Sequence, residues 1–124
     1  MNGLPGQPVQ HTRGKGKAAE EVAVDYLLGL GYELLERNFQ TRHGEIDCIL
    51  RDPSGVLVFV EVKSSRGGSY GHPFFRINRP KQQKIALMAR IYRQRVGHTG
   101  PCRFDAVALY QGRIEHLKNA FLAA

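Results

Sequence analysis

The residues best suited to chemistry are Asp47 and the run Glu61-Val62-Lys63. On a β-strand, residues i and i+2 share a face, so Glu61 and Lys63 project together. They close a stretch that is apolar from Val56 to Val60. Two charges at the end of a core strand are costly unless water or a bound ion compensates them. Asp47 falls on the partner strand of a hairpin, at a depth that places it beside Glu61. Glu20, on the flank of the first helix's apolar stripe, completes an acidic pocket if that helix packs across the same face. Carboxylates converging from Asp47, Glu61 and Glu20 suit a hard divalent cation, Mg2+ or Mn2+, which prefers oxygen ligands. With such a cation in place a phosphodiester's charge is offset and a bound water is acidified. Lys63 then orients the nucleophile or stabilises developing charge. A solvated strand end carrying an i, i+2 ion pair has the same spacing, and the residues alone leave both readings open.

Other residues are candidates for supporting roles. Glu45 shares a face with Asp47 and is either an accessory ligand or a rim ion-pair partner. Arg66, in a glycine loop, together with Arg79, Lys81 and Lys84, makes a candidate phosphate-contacting surface. Arg76, Arg90, Arg93 and Arg95 extend it, and a solvated helix face is the plain alternative. Tyr70, Phe74 and Phe75 either stack on bases or anchor their loop to the core. The Arg103–Asp105 pair reads as structural.

The elements that must position these residues are legible from periodicity. Lys17 to Leu30 carries apolar residues at Ala19, Val22, Ala23, Tyr26, Leu27 and Leu30, an amphipathic helix closed by Gly31. Strands follow at Tyr32–Arg37, Glu45–Arg51 and Val56–Lys63, the last two joined by the turn Asp52-Pro53-Ser54-Gly55. Ser64 to His72 reads as loop. Asn78 and Pro80 start a second helix with a buried stripe at Ile85, Met88, Ala89 and Tyr92, closed by Gly97. A fourth strand spans Arg103–Tyr110, and a short edge strand returns over Arg113–Leu117. The order α-β-β-β-α-β-β predicts an α/β fold whose mixed sheet has its third and fourth strands parallel.

At 124 residues there is room for one domain. Residues 1–16, rich in Gly, Pro and basic side chains (His11, Arg13, Lys15), read as a mobile basic arm, leaving 17–124 as the domain. Eighteen Lys and Arg against 11 Asp and Glu give a net charge of +7, which favours a polyanionic partner, nucleic acid above all. No stretch approaches the roughly 20 apolar residues needed to span a bilayer, and no secretory leader is recognisable. Cys48 and Cys102 lie in or beside apolar runs, as reduced thiols of a cytoplasmic protein would. The five histidines are scattered, without zinc-ligand spacing.

Several separated motifs occur together and in order: Glu20-x-x-Ala23-x-x-Tyr26-Leu27, Gly31-Tyr32, Arg37-Asn38-Phe39, Gly44-Glu45-Ile46-Asp47, Val58 to Lys63, and Arg103 to Val107. From about Gly14 onward the chain resembles the uncharacterised bacterial YraN-like family. That family is similar to archaeal Holliday-junction resolvases and, through them, to PD-(D/E)xK nucleases. The resemblance implies a restriction-endonuclease-like core, with Glu20, Asp47, Glu61 and Lys63 as the catalytic set. It further implies a metal-dependent endonuclease acting on structured or branched DNA, with a homodimer plausible because junction cutting needs paired sites. The alternative is a non-catalytic nucleic-acid-binding module on the same fold. Ala19 stands where the family usually has Gly, and Gln82 is the nearest match to a second-helix Gln that assists the site in related nucleases, an exposed helix residue being the plain alternative.

Overall fold

The computed structural model describes residues 15–65 and 72–122. The arm up to Gly14 and the glycine loop with Arg66 and Tyr70 lie outside these residues. Helix α1 (Lys15–Gly29) starts two residues before its expected beginning at Lys17. It buries Ala19, Val22, Ala23, Val24 and Leu27. Leu30, expected in that stripe, is exposed instead, because the helix has already ended. The Gly31 and Tyr32 N–H groups donate back to the carbonyls of Leu28 and Leu27, with Gly31 at φ +91°, a glycine-terminated cap that reverses the chain.

Five strands follow: β1 (Glu33–Thr41), β2 (Gly44–Arg51), β3 (Leu57–Ser65), β4 (Cys102–Tyr110) and β5 (Arg113–Phe121). They form one sheet in the order β1-β2-β3-β4-β5. All pairs are antiparallel except β3 with β4, which helix α2 (Arg79–Val96) connects in parallel. The α-β-β-β-α-β-β order and the mixed sheet are as the sequence predicts. A short 3-10 helix, Pro73–Arg76, stands in what reads as loop, its first turn capped by the His72 side chain. Asn78 caps α2 through Lys81 N–H and Gly97 closes it at φ 72°.

Strand β3 is covered on both faces, as its apolar run requires. Val58, Val60 and Val62 pack towards α1 with Ala19, Ala23 and Leu27. Leu57 and Phe59 pack towards α2 with Ile85, Met88 and Tyr92. Period 2 along β3 therefore assigns Glu61 and Lys63 to the α2 side. No described helix is long and apolar enough to cross a membrane.

Strand β5 runs four residues past its expected end at Leu117. Asp105 explains the extension. Its Oδ1 accepts from Asn119 N–H (3.1 Å) and from Arg103 Nε (3.0 Å), and its Oδ2 pairs with His116 Nε2 at 2.8 Å. Phe121 stacks on Phe104 at 4.8 Å just beyond. Arg103 also reaches Asp52 Oδ2 (2.6 Å) and the Tyr32 hydroxyl (2.8 Å). One half-buried guanidinium thus ties β4 to the β2–β3 turn and to the end of α1. Burial alone would raise the Asp105 carboxyl, but His116, Arg103 and Asn119 hold it below the usual range. Its share of stability is therefore complete above the ordinary carboxyl pKa and is lost as pH falls. Asp105→Ala takes the partner from His116 and Asn119 N–H and one partner from Arg103, and should cost about 3–5 kcal/mol. Urea melts at neutral pH measure this, and a loss within experimental error would mean the network is not a structural tie.

Candidate active site on the central strand

Strands β2 and β3 pair from Arg51↔Leu57 to Cys48↔Val60 and stop. The next pair would be Asp47 with Glu61. The break has a local cause in β2: Ile46 and Ile49, three residues apart, pack into the same α2-side layer, which regular alternation forbids. Opposite Asp47, Asn38 of β1 takes a positive φ of 53°. Asp47 uses this irregularity to cross the gap, and its Oδ2 accepts the Val62 backbone N–H at 2.7 Å. A carboxylate thus takes the place of a ladder carbonyl where two strands part.

Glu61 is 4% exposed. The β4 residues beside it and beside Lys63 are Ala106 and Ala108, both fully buried and with no polar side chain to offer. Its partners are cations. Glu61 Oε2 lies 2.9 Å from Lys81 Nζ and 3.4 Å from Lys63 Nζ. Its other oxygen, Oε1, is buried and has no hydrogen-bond partner among the described residues, an uncommon state for a charged atom. Burial, followed by the Glu61 charge, pushes the Asp47 carboxyl up to about 7. The Val62 N–H works against the rise, while Glu20 and Glu45 add smaller repulsions. Burial on its own would lower the Lys81 ammonium, yet hydrogen bonding to Glu61 and the charges of Glu61 and Asp47 raise it.

Of the expected site residues, Asp47, Glu61 and Lys63 come together. Glu20, half-buried on α1, acts on Asp47 by charge and more weakly than Glu61 does. Among the described residues no three His, Cys, Asp or Glu are grouped closely enough to hold a metal ion as they stand. Glu45 lies at the rim, 3.5 Å from Gln40 Nε2. The Gln82 amide donates to the Ile77 carbonyl and so braces the start of α2. Arg79 and Lys84 are exposed on α2, and Arg66 lies outside the described residues. Phe74 packs on His72, which in turn stacks on Tyr110. Cys48 is buried and Cys102 half-buried, and both are free thiols.

Lys81, expected on a phosphate-binding surface, instead points into the site. The signal for this was present in the sequence. Lys81 precedes Ile85 by four and Met88 by seven, so it heads the sheet-facing stripe of α2, while Lys84 does not.

A three-layer mixed α/β protein with an acid–lysine cluster on its central strand is thus defined by geometry. Residues 19–109, which span every site residue named above, match the uncharacterised protein family UPF0102, and the chain belongs to that YraN-like family. It is 42% identical to a UPF0102 protein of Thermodesulfovibrio yellowstonii over 86% of this chain and 94% of that protein. It is 44% identical to one from Persephonella marina over 86% and 92%, and 42% identical to one from Symbiobacterium thermophilum over 90% and 99%. A solved structure, SfsA of Pyrococcus furiosus in complex with Ca2+, is 17% identical over 83% of this chain and 62% of that one. Its TM-score of 0.37 is too low to bear on fold or activity.

The raised Asp47 pKa has a measurable consequence. Below the ordinary carboxyl pKa both folded and unfolded chains are protonated there. As pH rises from the ordinary carboxyl range to about 7 the unfolded chain gives up this proton while the folded chain keeps it, so stability falls across that window and is at its lowest above it. Asp47→Asn keeps an acceptor for Val62 and removes that charge. In cation-free buffer it should melt on the order of 5 °C above wild type at about pH 8 and level with it near about pH 4. Thermal melts across that range check this, and a variant less stable at the alkaline end would show that the carboxylate is not strained.

Proposed function

We propose that this chain is a metal-dependent endonuclease that hydrolyses phosphodiester bonds of nucleic acid, with structured or branched DNA as its substrate. The observation that carries the reading is the buried Glu61 Oε1, without a partner among the described residues, next to a carboxyl group raised to about 7. A buried carboxylate oxygen left bare is destabilising, and a hard cation satisfies it. The donors at hand, Asp47 and Glu61 with Glu20 behind, are all carboxylate oxygens, the set that Mg2+ or Mn2+ takes. Asp47 and Glu61 would hold the cation. When bound, it would supply charge neutralisation at the phosphate and a more acidic water.

The chain's own residues do the remaining work. Val62 N–H fixes the Asp47 carboxylate, and the fully buried Ala106 keeps water away from the β4 side of Glu61. Lys63, 20% exposed, keeps its ammonium where an incoming nucleophile or a developing negative charge would be met. The net charge of +7 draws a polyanion to the protein. Exposed Arg79 and Lys84 on α2, with Arg66, are the proposed phosphate contacts.

The second reading, a non-catalytic nucleic-acid-binding module, draws on the two ammonium groups that already neutralise Glu61. A binder nevertheless gains nothing from a buried acid beside a strained one. The test is cleavage of labelled four-way junction, flap, duplex, single-stranded DNA and RNA with Mg2+ or Mn2+, for wild type and Glu61→Gln. Wild type should cut at least one of these, with a loss of roughly 100-fold or more in the variant. Salt-sensitive binding without cutting, unchanged by Glu61→Gln, would instead establish the binding module.

A further inference from the structure

Glu61 is not only a candidate ligand. Its carboxylate already has a cation in place, and that cation comes from a different element of the fold. Lys81 Nζ sits 2.9 Å from Glu61 Oε2, closer than Lys63 at 3.4 Å, and the Asp47 charge acts on it as well. Its backbone is pinned from several directions. Asn78 Oδ1 accepts Lys81 N–H at 3.1 Å, Gln82 bonds back to Ile77, and Arg76 donates to the Ser64 carbonyl at 2.6 Å, tying the preceding segment to the end of β3. The side chain is freer, being 37% exposed against 20% for Lys63. Lys63 is held on the strand beside its partner, while Lys81 reaches in from the helix and has solvent to swing into.

Resting on the metal-site reading above, we propose that Lys81 is a positioning residue, an internal counter-cation that occupies Glu61 until a divalent cation displaces it. The structure shows why such a device is needed. A buried carboxylate with no partner would be destabilising, and the two lysines at Oε2 offset part of that cost. A divalent ion arriving at Oε1 meets two ammonium charges around one carboxyl group, in surroundings that screen charge poorly. The charge that can leave is the more exposed one. Lys81 therefore sets how tightly the cation binds, and cation binding releases its ammonium into solvent.

The test is Mn2+ affinity of the full chain, read from the electron paramagnetic resonance signal of free Mn2+. Lys81→Met and Lys81→Gln, the second keeping a donor for Glu61 without its charge, should each bind Mn2+ about tenfold more tightly than wild type. Lys81→Arg should match wild type, and Glu61→Gln should bind most weakly. Wild type supplies an independent measurement that needs no variant. Saturating Mg2+ should speed acetylation of Lys81 several-fold, read by mass spectrometry, with the exposed Lys84 unchanged as the internal standard. Neutral variants that bind no tighter, or a Lys81 acetylation rate indifferent to Mg2+, would overturn the inference and leave the metal site standing. Absence of Mn2+ binding in wild type and all variants would overturn the metal site and this inference together. Binding untouched by Glu61→Gln would place the cation elsewhere and likewise end the proposal.

Discussion

A central strand buried on both faces has no place for a charge, yet β3 carries Glu61 at 4% exposure between two packed layers. Much of the rest of the molecule can be understood as answering that constraint. Strand β4 offers only alanines beside it, so compensation cannot come from a neighbouring strand. It comes along the strand from Lys63 and across the layer from Lys81. The start of α2 must then be held in one place, and the Asn78 cap, the Gln82–Ile77 bond and the Arg76–Ser64 bond do so. The parallel crossover therefore does more than return the chain to the sheet. It delivers a cation to the one buried carboxylate that the sheet itself cannot satisfy.

The fold contains a control for this argument. Asp105 is as deeply buried as Glu61, at 1% exposure, but both of its oxygens are engaged, by Arg103, His116 and Asn119. Its carboxyl is held below the usual range, whereas Asp47 at the other cluster is pushed well above it. Two buried acidic clusters in one small sheet thus differ in completeness. The finished one ties β4, β5, the β2–β3 turn and the end of α1 together. The unfinished one sits where β2 and β3 part, with an oxygen that no described residue partners.

What the sequence disclosed follows the same division. Alternation and helical periodicity placed both helices, the hairpin and the parallel pair, because apolar burial repeats at fixed spacing. Glu61 and Lys63 were legible as two charges on an apolar strand. The extension of β5 to Phe121 was not, since it depends on an Asp105–Asn119 bond between distant positions. The inward turn of Lys81 was written in its four-residue offset from Ile85, but a basic residue near a helix start reads first as solvated. The irregularity at Asp47 left no local trace. Its neighbours Ile46 and Cys48 suit either face, and only the packed layers reveal that alternation fails there.

The unfinished cluster also bears on why such a site would persist. An acid whose ionisation is disfavoured, beside a buried acid with an unpartnered oxygen, is a liability to the empty fold, and replacing either by a neutral group would relieve it. A purely structural role is better served by the arrangement around Asp105, where every charge is met. Excess negative charge is equally out of place on a surface meant only to hold a polyanion, where it repels the partner that the net charge of +7 attracts. The cation proposed above would answer both objections at once, because it would satisfy the Glu61 oxygen and offset the negative charge that a phosphate would meet. On that proposal the strain in the cluster would be the cost of a binding site kept ready, with the lysines holding the carboxylate in the meantime.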